Sequence, residues 1–177
     1  ADKMAKHGAG GSTFSDWWAY KYEVVDAIPY NAAIMHEQGV LTAINSDDAE
    51  MSRRLNQEAA KVMKYGGVNE EEAWKMVTLN PAKLLHLDDK VGSIKVGKDA
   101  DVVLWSDNPL SIYAKAEKTI IEGVTYFDLK RDEMMRSQIK KEKSELINMM
   151  MQAKNKGLKT QPVKKKEKEL LHCDSMD

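Results

Sequence analysis

Two adjacent carboxylates, Asp47 and Asp48, stand at the point in this sequence best placed to do chemistry. They follow a short, mostly apolar run over residues 40–45 and precede a helical pattern that begins at residue 49. In α/β folds, strand C-termini and the loops after them converge on the functional face. A carboxylate there can ligate a divalent cation and exchange protons with a bound water. The same position also suits a helix N-cap, for which Ser, Asp and Asn are preferred. Ser46 and Asp48 can both cap, which leaves Asp47 available for another role. From the local pattern alone, cap and ligand both remain open for Asp47.

A second group is Phe14-Ser15-Asp16-Trp17-Trp18-Ala19-Tyr20, an aromatic cluster with one acid. Aromatic rings with a polar anchor suit a substrate pocket or lid, with Phe14, Asp16, Trp17 and Trp18 as its candidates. They suit a plug over the fold's core equally well. The histidines build no metal site by themselves. His7, His36, His86 and His172 are far apart, with no His-x-His or His-x-x-x-His pair. His7 and His36 fall near helix C-termini, where the dipole favours a cation. Lys83, Lys95 and Lys98 read as surface charges, and Met149-Met150-Met151 as a packing face. The single cysteine, Cys173, can form neither an internal disulfide nor a Cys-based zinc site. Phosphate loops, Ser-His-Asp sets and zinc-ribbon spacings are absent from the sequence.

The elements that must position these residues follow from periodicity. Residues 2–7 read as the end of a helix stopped by Gly8, Gly10 and Gly11, with a short polar strand or loop from Ser12 to Asp16. A helix is expected over 23–38, with Pro29 in its first turns and Gly39 as its stop. The run 40–45 suits a strand buried on both faces of a parallel sheet. Leu55, Ala59, Val62 and Met63 recur at helical spacing within 49–65. Asn69 and Glu72 resemble a capping box for a helix over 70–78, and Asn80-Pro81 opens another to about His86. After residue 90 the period changes to short β-type runs at 93–96, 101–105, 118–122 and 124–128, with Glu122-Gly123 at the last hairpin turn. From Arg131 to about Lys156 the chain is helical again, with a stripe of Met135, Ile139, Leu146 and Met150.

The 177 residues are enough for one ordinary domain or part of a larger one. Hydrophobic residues at 42% and charged residues at 31% read as a soluble globular chain. No apolar run approaches the roughly 20 residues of a membrane span. The chain begins at Ala1 with no leader pattern, so its compartment, cytoplasmic or periplasmic, is not assigned. Residues 128–177 hold 13 Lys/Arg against 9 Asp/Glu, so this part carries +4 and the rest −5. That split marks a change of character near Asp128 rather than a nucleic-acid patch. Residues 158–177, few in large apolar groups and dense in charge, are expected to be disordered. The alternation in the first 65 residues implies parallel β/α units, and two strands cannot close a barrel. Further chain is therefore expected ahead of Ala1, and the open strand edge around 40–45 is a route to a homo-oligomer.

Thr78-Leu79-Asn80-Pro81-Ala82-Lys83-Leu84-Leu85, followed by Val91-Gly92-Ser93-Ile94-Lys95-Val96-Gly97-Lys98-Asp99-Ala100-Asp101-Val102-Val103-Leu104-Trp105, resembles the amidohydrolase superfamily. More narrowly, it resembles the imidazolonepropionase-like members. The resemblance covers roughly residues 10 to 128. It implies an α/β fold: the C-terminal part of a TIM-type (β/α)8 barrel, part of a small composite β-sandwich and a C-terminal helix. The implied division is 1–88 for the last barrel units and following helices, 89–128 for the partial sandwich, 129–157 for the helix and 158–177 for the tail.

Residues 11–16 then look like the family's seventh strand and 40–47 like its eighth. Asp47 matches the strand-eight aspartate that binds the metal and shuttles the proton, which favours the catalytic reading over the cap. Phe14, Asp16, Trp17 and Trp18 would shape the substrate end. The family's other metal residues, a His-x-His, a bridging lysine or acid and two later histidines, would lie before Ala1, and His7 replaces none of them. The resemblance thus implies hydrolysis of an amide or cyclic amide C–N bond by metal-activated water. One or two divalent ions, with zinc expected, would serve the parent enzyme, and this chain alone would be inactive. The implied partner is a small-molecule amide or peptide-like substrate, with no nucleic acid and no membrane. Deamination and Xaa-Pro dipeptide hydrolysis are the alternative chemistries on this scaffold. A non-catalytic module, binding a protein through its β-portion and Met-striped helix, is the alternative from another class.

Overall fold

The computed structural model describes residues 1–161. The expectation for residues 158–177, together with His172 and Cys173, lies outside the described residues beyond residue 161. The chain divides into two compact units, Ala1–Tyr126 and a second from Phe127 onward.

The first unit opens with helix α1, Asp2–His7, ended by Gly8 in the left-handed conformation. Strand β1, Gly11–Thr13, follows. The expected helix over 23–38 is shorter than its sequence pattern. A 3-10 turn covers Tyr22–Val24, and helix α2 begins only at Asn31 and runs to Glu37. Pro29 explains the difference. A proline disfavours the α region for the residue before it and donates no backbone bond, so the helix starts after it. Strand β2, Thr42–Ile44, is buried along its whole length. It pairs with β1 in parallel, with Gly11 opposite Thr42, Ser12 opposite Ala43 and Thr13 opposite Ile44. The expected helix at 49–65 is present with a 3-10 start: Met51–Arg54, then α3 over Leu55–Gly66.

The core of this unit explains why β2 is held where it is. Ala32 and Ala33 of α2, Ile44 of β2, Val62 of α3 and Val68 pack with Ala73 and Met76, and Leu55 and Met63 lie against them. Leu55, Val62 and Met63, expected at helical spacing on α3, therefore face this cluster, and Ala59 is also buried. Gly66 allows the close approach of α2: a Cβ there would stand 2.2 Å from the Ala33 Cβ, a distance no packed pair tolerates. Helix α4, Glu70–Lys75, is capped by Asn69, whose side chain accepts from the Glu72 backbone N–H. It ends three residues earlier than the periodicity suggested. Helix α5, Leu79–Leu84, includes Pro81 in its first turn rather than at its first position. Asn80 is buried and its Nδ2 donates to the Thr42 carbonyl at 2.8 Å, tying α5 to β2.

The later β-runs are met with one exception. Strands β3, Val102–Trp105, β4, Ala116–Ile121, and β5, Val124–Asp128, form a three-stranded sheet in that order. Strands β3 and β4 are antiparallel, with an irregularity between Leu104 and Trp105. Glu122 and Gly123 both have positive φ, 50° and 77°, as a two-residue type I′ hairpin turn demands. Residues 93–96 are not a strand. Gly92 and Gly97 do take positive φ, but Ile94 and Val96 are exposed, and no described strand pairs with them. Lys98, expected as a surface charge, also holds this loop: its Nζ donates to the Val91 carbonyl at 3.0 Å and to Ser93 Oγ at 2.8 Å.

In the second unit, α6 runs over Leu129–Asn155 and is capped by the Asp128 side chain, which accepts from the Arg131 backbone N–H. Its Met135, Ile139, Leu146 and Met150 form the expected stripe but are exposed. Among the described residues, no helix is long and apolar enough to cross a membrane.

Candidate active site at the ends of the two parallel strands

The parallel pairing brings the C-terminal ends of β1 and β2 side by side. The Asn45 backbone N–H donates to the Thr13 carbonyl at 3.1 Å, and Ser12 Oγ donates to Asn45 Oδ1 at 2.7 Å. Asn31 of α2 adds a bond from its Nδ2 to Thr13 Oγ1 at 2.9 Å. The segments after the strands, which carry Phe14–Tyr20 and Ser46–Asp48, therefore leave from neighbouring points.

The two carboxylates after β2 have different environments. Asp48 shapes the turn: its Oδ1 accepts from the backbone N–H of Glu50 at 2.8 Å and of Met51 at 2.9 Å. Ser46 Oγ accepts from the Asp48 backbone N–H at 3.2 Å. These contacts hold the turn that leads into the 3-10 turn and α3. Asp47 is exposed and has no hydrogen bond or ion pair among the described residues. Its carboxylate is not needed by the local backbone.

After β1, the Phe14 and Trp17 rings stack with centroids 4.5 Å apart, and Tyr20 meets Trp17 edge-on at 5.6 Å. The Trp18 backbone N–H donates to the Ala27 carbonyl, while its ring is half exposed. Phe14 and Trp17 are thus braced against each other, while Trp18 and Tyr20 are both turned to solvent.

Sequence reasoning missed the polar network that ties this loop down. Ser15 and Glu58 are both buried, at 3% exposure each. Ser15 Oγ donates to Glu58 Oε2. Lys61 Nζ pairs with Glu58 at 2.9 Å and with Asp16 Oδ1 at 2.9 Å. A signal was available: Glu58 sits inside the apolar stripe of Leu55, Ala59 and Val62, and a carboxylate there must find partners. Burial works against the Lys61 ammonium, but the hydrogen bonds and charges of Asp16 and Glu58 outweigh it and raise its pKa. That value lies above the ordinary 10.5. The pair's contribution is therefore complete at neutral and mildly alkaline pH and is lost only as pH climbs through the raised value. The melting difference between the parent chain and Lys61→Met is expected to stay constant across neutral pH and to close only above pH 10.5. Closure near neutrality would show that another group controls it.

A zinc centre takes at least three protein ligands. Among the described residues no group of three or more His, Cys, Asp or Glu is placed to hold a metal ion. The residues present thus do not fit a complete metal centre, and Asp47 offers one carboxylate. A cavity of about 380 Å³, lined by Glu70, Glu71, Trp74, Asn108, Pro109 and Leu110, borders α4, and none of the candidate site residues lines it.

The sequence model of the amidohydrolase family matches residues 29–131. Amidohydrolase tasK of Hapsidospora irregularis is 33% identical over 116 residues, which cover 65% of this chain and 12% of that protein. The crystal structure of an amidohydrolase from Thermotoga maritima MSB8 superposes with a TM-score of 0.63 at 33% identity, over 72% of this chain and 33% of that one. An adenosine deaminase from Xanthomonas campestris with bound zinc superposes at 0.54 and 19% identity, over 72% of this chain and 34% of that one, a likeness of fold alone. The chain thus spans about a third or less of each of these relatives. The mixed α/β architecture expected from the sequence agrees with these neighbours, and the barrel they share is not closed by the two parallel strands here. With more than half of its length matched by the family's sequence model, the chain belongs to the amidohydrolase family.

Proposed function

We propose that this chain supplies one side of a C–N bond hydrolase active site, with Asp47 as its proton carrier. One observation carries the reading: Asp47 is exposed and unbonded at the end of a buried strand, while Ser46 and Asp48 meet the needs of the turn. In the proposed reaction, water attacks the carbonyl carbon of an amide or cyclic amide. The Asp47 carboxylate takes a proton from that water and gives it to the leaving nitrogen. The C–N bond breaks to a carboxylic acid and an amine. Phe14, Asp16, Trp17 and Trp18 shape the substrate end, and a small amide or peptide-like molecule is the substrate class.

A divalent ion belongs to the same proposal, with zinc expected, as the deaminase neighbour is described with bound zinc. Asp47 would give it one oxygen ligand. Deamination and prolyl-dipeptide hydrolysis are the alternative chemistries.

The test grafts residues 10–128 in place of the matching third of the Thermotoga maritima amidohydrolase. Turnover of the host's own substrate is measured with Asp47 and with Asp47→Asn. A large loss supports the reading, and unchanged turnover rejects it.

A further inference from the structure

We propose that Glu58 and Lys61 are positioning residues: from α3 they hold the Phe14–Tyr20 loop in the place where it meets substrate. This inference rests on the hydrolase reading for its consequence, but not for its geometry. The contacts span 43 residues from Ser15 to Glu58 and 45 from Asp16 to Lys61. They join the loop after β1 to the helix that follows β2. Helix α3 therefore touches both halves of the candidate site: its 3-10 start grows out of the Asp47–Asp48 turn, and its fourth and seventh residues, Glu58 and Lys61, reach the aromatic loop.

Stability alone is a poor reason for this network. A buried ion pair is often no better than well-packed apolar groups of the same volume, because desolvation offsets the attraction. Glu58 lies among Leu55, Ala59 and Val62, where an apolar residue would extend the core. What the charged network provides, and an apolar contact would not, is direction. The Glu58 carboxylate accepts from Ser15 Oγ, and the Lys61 ammonium bridges Glu58 and Asp16. Two successive residues of the loop are thereby fixed, immediately between Phe14 and Trp17, whose rings stack. Asp16, a candidate for substrate contact, has Oδ1 committed to Lys61. It acts first as the loop's anchor.

Two measurements test the proposal. The first is hydrogen exchange in the 177-residue chain, comparing parent, Lys61→Arg, Lys61→Met and the double variant Glu58→Gln with Lys61→Met. The double variant leaves no buried charge unpaired, so it remains informative if Lys61→Met alone fails to fold. Exchange over residues 14–20 is expected to rise about ten- to a hundredfold in Lys61→Met and the double variant, from the loss of charge-assisted bonds. Exchange in β2 and α3 should change far less, and Lys61→Arg should stay near the parent. Lys75→Met, which removes the surface pairs to Glu71 and Glu72, should leave the loop unchanged. Unchanged loop exchange in the double variant, or an equal rise across β2 and α3, overturns the proposal. The second is kinetic, in the grafted enzyme: KM should rise more than kcat falls in the double variant, and equal loss in both overturns the placement role. If Asp47→Asn leaves turnover intact, the hydrolase reading fails while the exchange result still stands or falls by itself.

Discussion

Replacing Met76 by alanine is expected to destabilise the first unit by about 2–5 kcal/mol. Met76 is fully buried, with Ala32, Ala33, Ile44, Val62, Val68 and Ala73 around it. Truncation removes buried methylene and sulfur contacts and leaves a cavity that the rigid neighbours fill only in part. The site feels this directly, because the Met76 carbonyl accepts from the Ile44 backbone N–H at 2.9 Å. Ile44 is the last residue of β2, three positions before Asp47. At roughly 2–4 °C per kcal/mol for a chain of this size, melting should fall by about 4–20 °C. Met134→Ala is the control. Met134 is exposed on α6, and its loss should stay within about 0.5 kcal/mol. A Met76 variant that melts no lower than the Met134 variant would mean that this cluster is not the unit's core.

The residues with strong local signals were legible in the sequence. The run 40–45 announced a buried strand because so short a run, mostly apolar and followed by a polar turn, suits a strand covered on both faces. Glu122-Gly123 announced the hairpin because its turn needs two positive φ angles. Asn69 announced a helix start through its side-chain oxygen. The misreadings have equally local causes. Over 23–38 a helix was expected, but Pro29 has no backbone donor and disfavours the α region for the residue before it, so the helix begins only at Asn31. At 93–96 the alternation was strand-like, but a strand exists only through its partner, and none of the described strands pairs there.

The candidate site was legible as positions and not as connections. Asp47 could be singled out because two carboxylates follow one strand and a turn needs only one of them. The division of labour agrees with that logic, as Asp48 and Ser46 hold the turn. The tether from Glu58 and Lys61 to Ser15 and Asp16 joins residues more than forty positions apart. No periodicity encodes such a pairing. Its one trace was a carboxylate inside an apolar stripe, a cost that only a specific partner removes.

Asp47→Asn in the grafted enzyme is expected to lower turnover by about 10²–10⁴-fold, the usual loss when a general base is removed. Asparagine keeps the size of the side chain and one acceptor oxygen, but it has no negative charge and cannot take a proton from water. Asp48→Asn should do far less to turnover. Asparagine caps nearly as well as aspartate, and its Oδ1 can still accept from the Glu50 and Met51 backbone N–H groups that Asp48 holds now. Turnover separates the two roles, and melting checks that the fold is intact. Asp47 makes no hydrogen bond or ion pair among the described residues, so its replacement should leave the melting temperature unchanged even as turnover collapses. A pure turn role for Asp47 predicts normal turnover with equally little change in melting. Near-normal turnover in Asp47→Asn would therefore remove it from the chemistry. A severe loss confined to Asp48→Asn, with melting intact, would move the proton carrier one residue along the chain and give Asp48 both the turn and the reaction.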